Sequence, residues 1–224
     1  MIYVVSDIHG HFDKLEELLE KINFSMEDTL YILGDIIDRG PKILETVRKV
    51  MNTPNIKMIL GNHEDMFLKS FESKNIFDEA LWYQNGGGFT DLEFNKLDKE
   101  DLKNIVEYFK SLPIEIELEV NYQKFLLVHG NYVPKSNKKY LTDSEYKAEL
   151  VWSRVKDWDV GPKDVIVILG HTPTYKYLGK DKPMSIYKKG NMIGIDCGLA
   201  TYYKYPEISR LGCLCINTME EIYI

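Results

Sequence analysis

Five short apolar runs in this chain each break off into a glycine set beside a histidine, a carboxylate or a carboxamide. Residues 1–6 lead into Asp7-Ile8-His9-Gly10, and residues 29–33 into Gly34-Asp35-Ile36-Ile37-Asp38-Arg39-Gly40. Residues 56–60 lead into Gly61-Asn62-His63-Glu64, and the runs at 125–129 and 165–169 end in His129-Gly130 and Gly170-His171. Short apolar runs rich in β-branched residues read as buried strands. A sheet whose strands all end this way gathers its polar turns along one edge, where open α/β sheets collect ligands. The glycines let the backbone turn sharply and keep side-chain bulk away.

Between the first runs the apolar period changes. Phe12, Leu15, Leu18, Leu19 and Ile22 recur at three and four residues, which is helical spacing, and 43–51, 64–71 and 77–83 also read as helices. Asp98 is placed to cap a helix carrying Leu102, Ile105, Val106 and Phe109, and Pro113 ends it. The first half is thus β-α-β-α-β-α, the pattern of an α/β sheet. The second half changes character. Residues 114–120 alternate apolar and acidic side chains, 121–123 form a turn, and 125–129 and 165–169 are buried strands. Residues 185–187 and 192–195 flank a turn at 189–191, and 211–216 with 222–224 suggest a final hairpin. By pattern this half is mostly antiparallel. Residues 136–147 are the most polar stretch and read as a surface loop or helix. With no repeat and no linker, one domain over all 224 residues is expected.

Composition narrows the partners. A chain that is 44% hydrophobic and 28% charged is globular rather than disordered. Its 28 basic and 35 acidic residues give a net charge of −7, so its overall field steers it toward neither nucleic acid nor an anionic membrane. No apolar run approaches the roughly 18 residues of a membrane-spanning helix. The only cysteines, Cys197, Cys213 and Cys215, form no C-x-x-C pair and no secretory segment precedes the first strand, so a reducing cytoplasm is expected. Cys213 and Cys215 share a strand face and read as small buried hydrophobes. Nothing indicates an oligomer.

Four of the five histidines, His9, His63, His129 and His171, lie in the strand-end clusters. Imidazole with carboxylate and carboxamide oxygen, and without thiolate, suits manganese, iron or zinc. Other hydrolase chemistries fit poorly. No cysteine is followed six positions later by arginine, and there is no Gly-x-Ser-x-Gly elbow or P-loop. Asp157-Trp158-Asp159 has the form of an aspartyl-phosphate nucleophile, but no apolar strand precedes it.

The motifs D-x-H at Asp7 and His9, G-D-x-x-D-R-G at Gly34 to Gly40, G-N-H-E at Gly61 to Glu64, and the two later histidines resemble the phosphoprotein phosphatase family of the calcineurin-like metallophosphoesterases. The likeness extends to Trp82-Tyr83-Gln84-Asn85-Gly86-Gly87-Gly88, Trp152-Ser153-Arg154 and Ile195-Asp196-Cys197-Gly198, features similar to small bacterial and bacteriophage serine/threonine phosphatases. Trp82 is open to a second reading as a core anchor. The resemblance implies an αββα sandwich, two mixed sheets flanked by helices, with two divalent metal ions at the strand carboxyl ends. Manganese is the first expectation, with iron or zinc as alternatives.

The resemblance assigns one metal to Asp7, His9 and Asp35, and the other to Asp35, Asn62, His129 and His171. Independently, only a carboxylate has the charge and the two oxygens to bridge cations about 3.5–4 Å apart. Such a pair makes hydroxide available at neutral pH for in-line attack on phosphorus. Arg39 and Arg154, with Asn62, would bind phosphate, since guanidinium matches two oxygens in one plane. His63 would be the general acid, and Asp38 would stabilise its imidazolium. Glu64 is expected to orient its loop or open the following helix, and Asp196 to serve a turn or support the ligands. His11 stands between an exposed helix-start residue and a supporting group. The implied activity is removal of phosphate from phosphoserine and phosphothreonine in proteins. A hydrolase of dinucleoside tetraphosphates or other nucleotide esters is the alternative, and a metal-binding module without catalysis is a third. Asp38 beside Arg39 and the glycine-rich Trp82 segment favour the first.

Overall fold

The computed structural model describes residues 1–73, 75–156 and 161–224, so the Asp157-Trp158-Asp159 run lies outside the described residues. In chain order the elements begin β1 (Ile2–Val5), α1 (Phe12–Lys21), β2 (Thr29–Ile32), α2 (Ile43–Asn52), β3 (Ile56–Met58) and α3 (Asn62–Ser73). Three more helices follow, α4 (Ile76–Gln84), α5 (Gly88–Phe94) and α6 (Lys99–Ser111). The second half comprises β4 (Glu115–Val120), β5 (Gln123–Val128), α7 (Lys135–Lys138), α8 (Asp143–Val151), β6 (Ile166–Leu169) and α9 (Tyr175–Leu178). The chain then closes with β7 (Tyr187–Lys189), β8 (Met192–Gly194), β9 (Gly212–Cys215) and β10 (Glu220–Tyr223).

The strands form two five-stranded sheets, ordered β10-β9-β1-β2-β3 and β4-β5-β6-β8-β7. Side-chain alternation along the strands generates the layers. Val4 faces a core shared with Leu127, Ile168 and Ile193 of the other sheet, while Tyr3 and Val5 face a core shared with Leu15, Leu18 and Val47 of α1 and α2. On the second sheet, Leu126, Val128 and Val167 point outward against Leu150 of α8. Helix, sheet, sheet and helix therefore stack as four layers, the expected αββα sandwich. Cys213 and Cys215 are free, buried and part of the helix-side core.

Local signals explain several boundaries. The Asp98 carboxylate accepts from the Glu100 and Asp101 amides at 2.9 and 2.8 Å and starts α6, which stops before Pro113. In the polar stretch, Thr142 and Glu145 form a capping box that starts α8. Two expectations need correction. The second sheet is not mostly antiparallel: β5, β6 and β8 run parallel, and only its edge strands β4 and β7 are antiparallel. Its central runs are continuously apolar, the mark of strands covered on both faces, and long crossovers containing α7, α8 and α9 link them. Helix α3 also begins at Asn62, not Glu64, which puts Asn62 and His63 in its first turn.

Candidate active site

The carboxyl ends of β1, β2, β3, β5 and β6 meet at one edge of the sandwich. Their turns use left-handed backbone, with positive φ at Asp7 (52°), His9 (47°), Asp35 (57°), Asp38 (68°), Arg39 (69°) and His171 (62°). Few side chains adopt this region without strain, and such residues cluster where surrounding contacts fix them. Those contacts are present. The His9 and Gly10 amides donate to the Asp35 and Ile36 carbonyls at 2.9 and 2.8 Å. The Glu64 carboxylate, fully buried, accepts from the amides of Asp35, Ile36, Ile37 and Gly61 at 2.9, 2.9, 3.3 and 3.2 Å. Glu64 thus orients the β2 turn, one of its two expected roles. Burial, reinforced by the Asp35 charge, pushes its carboxyl up to about 7. Gly61 is needed for close approach, because a Cβ there would lie 2.2 Å from Asp35 Oδ1.

Asp35 lies at the centre. Its Oδ2 is 3.8 Å from His9 Nε2, 3.4 Å from His129 Nε2 and 3.9 Å from His63 Nε2. Two clusters share it, one with His9 and His63 and one with His129 and His171, each with ligand atoms within 4.8 Å of one another. Asn62 Oδ1 sits 2.9 Å from His129 Nε2. Asp7 accepts from the Ser6 hydroxyl and, at 2.9 Å, from the His171 amide.

The donor set fits divalent cations. His9 and His129 donate from Nδ1 to the carbonyls of Ile37 and Leu33 at 2.9 and 2.5 Å, and His171 donates from Nε2 to the Trp152 carbonyl at 3.1 Å. Each hydrogen bond fixes a tautomer and leaves the other ring nitrogen as a ligand. Burial, with the Arg39 charge, holds His9 well below its usual range, and burial with the His129 charge holds His171 at about 3, so both present lone pairs. Burial opposes protonation of His129 too, but the Asp35 and Asp7 carboxylates overcome it and push this imidazole up to about 10. Its Nε2 proton occupies the position a cation would take between Asn62 and Asp35. Burial and mutual repulsion raise the Asp7 and Asp196 carboxyls, whereas the histidine charges outweigh burial and hold Asp35 well below the usual range. Buried negative charge at this density calls for a counter-cation.

Beside this centre, His63 Nδ1 lies 2.6 Å from Asp38 Oδ2, and Arg39 donates from Nη2 to His63 Nε2 at 2.8 Å. The two contacts assign the ring proton to Nδ1. Asp38 also accepts from Trp82 Nε1 and the Thr90 hydroxyl. Arg154 sits at the rim, donating from Nη1 to the His171 carbonyl at 2.7 Å and to Thr172 Oγ1 at 2.9 Å. The structure therefore brings Asp7, His9, Asp35, Asp38, Arg39, Asn62, His63, His129, His171 and Arg154 to one edge.

Asp196 is buried and accepts from the Gly198 amide at 2.8 Å, the turn role expected of it. His11 is buried, not exposed, with its ring against Tyr202 and Tyr203. Sequence reasoning did not find Thr90, nor Asp65, whose carboxylate receives Trp152 Nε1 at 2.8 Å together with Lys69 and Lys147. Thr90 meets Asp38 across 52 residues, and Asp65 meets Trp152 across 87, so no local pattern marks either.

Comparison with known proteins agrees with this geometry. A serine/threonine-protein phosphatase 2 from Salmonella typhimurium is 38% identical over 154 residues, covering 68% of this chain and 67% of that protein. A symmetrical bis(5'-nucleosyl)-tetraphosphatase from Buchnera aphidicola is 32% identical over 136 residues, covering 59% of this chain and 44% of that one. The chain thus aligns with about two thirds of the first relative and under half of the second. Among solved structures, a candidate diadenosine tetraphosphatase superposes with a TM-score of 0.66 at 19% identity, over 100% of this chain and 92% of that chain, a likeness of fold. The family pattern of the calcineurin-like phosphoesterases matches residues 1–197, the span that carries every strand-end ligand described above, and the chain belongs to that family.

Proposed function

We propose that this chain is a metal-dependent phosphomonoesterase that removes phosphate from phosphoserine and phosphothreonine in proteins. The observation that carries this reading is the buried Asp38–His63 pair, 2.6 Å apart, beside Arg39. A serine or threonine alkoxide is strongly basic and leaves only if it is protonated as the bond breaks. A positioned imidazole backed by a carboxylate meets that need. A nucleotide phosphate is a far better leaving group and has less need of it.

Asp7, His9 and Asp35 would hold one divalent cation, and Asp35, Asn62, His129 and His171 the other. Manganese is our first choice, and iron or zinc accept the same donors. When bound, the pair supplies an activated water and neutralises phosphate charge. Arg39 and Arg154, with the Asn62 amide, bind and orient the phosphate oxygens. His63, its Nδ1–H held by Asp38, presents Nε2 to the leaving oxygen and gives up a proton there. Three unpaired, buried cysteines suit a reducing compartment such as the cytoplasm.

A second reading, hydrolysis of dinucleoside tetraphosphates, is supported by the tetraphosphatase relative and the similar fold. Purified protein with manganese, assayed on a phosphoserine peptide and on diadenosine tetraphosphate, separates the two. A kcat/KM clearly higher on the nucleotide would replace our reading with the second.

The rim arginine gives a further expectation. Arg154→Ala should raise KM for phosphomonoesters by roughly 30-fold, the equivalent of about 2 kcal/mol for a charge-assisted contact. Inhibition by inorganic phosphate should weaken in parallel, with metal content unchanged. Steady-state kinetics with and without phosphate check this, and unaltered values would confine Arg154 to bracing the His171 backbone.

A further inference from the structure

The corner between α4 and α5 does more than pack. Asp38 is fully buried, and its carboxylate has three donors from two directions. His63 Nδ1 meets Oδ2, Trp82 Nε1 is shared between Oδ1 at 3.1 Å and Oδ2 at 3.0 Å, and the Thr90 hydroxyl donates to Oδ1. The same hydroxyl oxygen accepts from the Asp38 amide at 3.0 Å. Thr90 therefore grips residue 38 at both its backbone and its side-chain end.

The corner also reaches Arg39. The Asn85 carbonyl accepts from Arg39 Nε at 3.0 Å, and the Gly86 carbonyl accepts from the Arg39 amide at 3.4 Å. Gly86 has φ +107°, and a Cβ there would lie 2.8 Å from Arg39 Cγ. A core anchor would need only the Trp82 ring, which packs on Phe67 at 5.4 Å. Placing the indole N–H on a carboxylate is a separate feature. Likewise, a fully buried position that served packing alone would suit valine as well as Thr90.

We propose that Trp82 and Thr90 are positioning residues for proton delivery: they lock the Asp38 carboxylate in the orientation that holds His63 Nδ1–H and keeps Nε2 turned toward the phosphate-binding Arg39. This rests on the reading of His63 as general acid. A carboxylate free to rotate would let the imidazole swing, and small misplacements of reacting groups are costly.

The test uses near-isosteric changes, Thr90→Val and Trp82→Phe, in the metal-loaded protein. Single-turnover rates are measured on a phosphoserine peptide and on p-nitrophenyl phosphate, whose leaving group needs no proton. Each variant should lose roughly tenfold or more on the peptide, the worth of a hydrogen bond to a charged group, and far less on the nitrophenyl ester. Thr90→Ser should keep the wild-type rate. In a His63→Asn background, Thr90→Val should add no further loss, as expected for residues acting as one unit. The downfield proton resonance of His63 Nδ1–H, visible without turnover, should broaden in Thr90→Val. Equal losses on both substrates, loss of metal, or a Thr90→Ser defect as deep as that of Thr90→Val would overturn the proposal. If Thr90→Val and Trp82→Phe keep full peptide activity while His63→Asn shows the leaving-group asymmetry, this inference falls and the acid assignment stands. If His63→Asn itself shows no asymmetry, both fall.

Discussion

Asp35→Asn should yield a folded protein that no longer retains two divalent cations and has lost at least about 10³-fold in activity, since bound metals supply several kcal/mol of transition-state stabilisation. Asparagine is the informative replacement. It tolerates the left-handed backbone at φ 57° and can keep the Oδ1 contact to the His63 amide, 3.0 Å away. What it removes is the negative charge and the second anionic oxygen facing His9 and His129. A neutral amide cannot bridge two cations, so both neighbouring ligand sets lose their shared member. Elemental analysis after dialysis gives the stoichiometry, and denaturant unfolding reports the fold. Two tightly bound metals per folded chain would make the bridging assignment wrong.

The second large effect concerns proton delivery. His63→Asn should lower the single-turnover rate on a phosphoserine peptide by roughly 10²–10⁴, the usual contribution of general acid catalysis. The loss on p-nitrophenyl phosphate should be clearly smaller, because nitrophenolate is stable enough to leave unprotonated. Asp38→Asn should show a weaker version of the same asymmetry. It leaves an acceptor for His63 Nδ1–H but removes the charge that stabilises imidazolium. Metal content should be unchanged in both. Single-turnover conditions matter, since slow product release would mask the difference. Equal losses on the two esters would remove His63 from the acid role, and loss of a cation would recast it as a ligand.

Much of this site could be read from the chain because its ligands lie at strand ends, where an apolar run stops and a polar turn begins. Asp7, Asp35, Asn62, His129 and His171 are each one to three residues past the last strand residue or within the turn that follows. Glu64 carried a signal through its place in the first turn of a helix, although its four amide partners lie in two other turns. Less local features were hidden. The parallel pairing of β5 with β6 depends on crossovers, and side-chain alternation carries no information about strand direction. The grip of Thr90 on Asp38 and the bond from His171 to the Trp152 carbonyl depend on how distant helices dock. Backbone carbonyls have no sequence signature at all, yet they fix the tautomers of all three candidate histidine ligands.

The left-handed turns set stability and chemistry against each other. Asp7, His9, Asp35, Asp38, Arg39 and His171 all occupy a conformation that costs an L-residue about 1–2 kcal/mol and costs glycine almost nothing. Aspartate and histidine bear it better than most, and Arg39 less well. Replacement by glycine would relax the fold at each position while deleting a charge or a ring nitrogen, the usual form of the trade between stability and activity. Mutation alone, without selection for turnover, would therefore carry a lineage of this chain toward glycine at these turns. Its descendants would be more heat-resistant, correctly folded and inert.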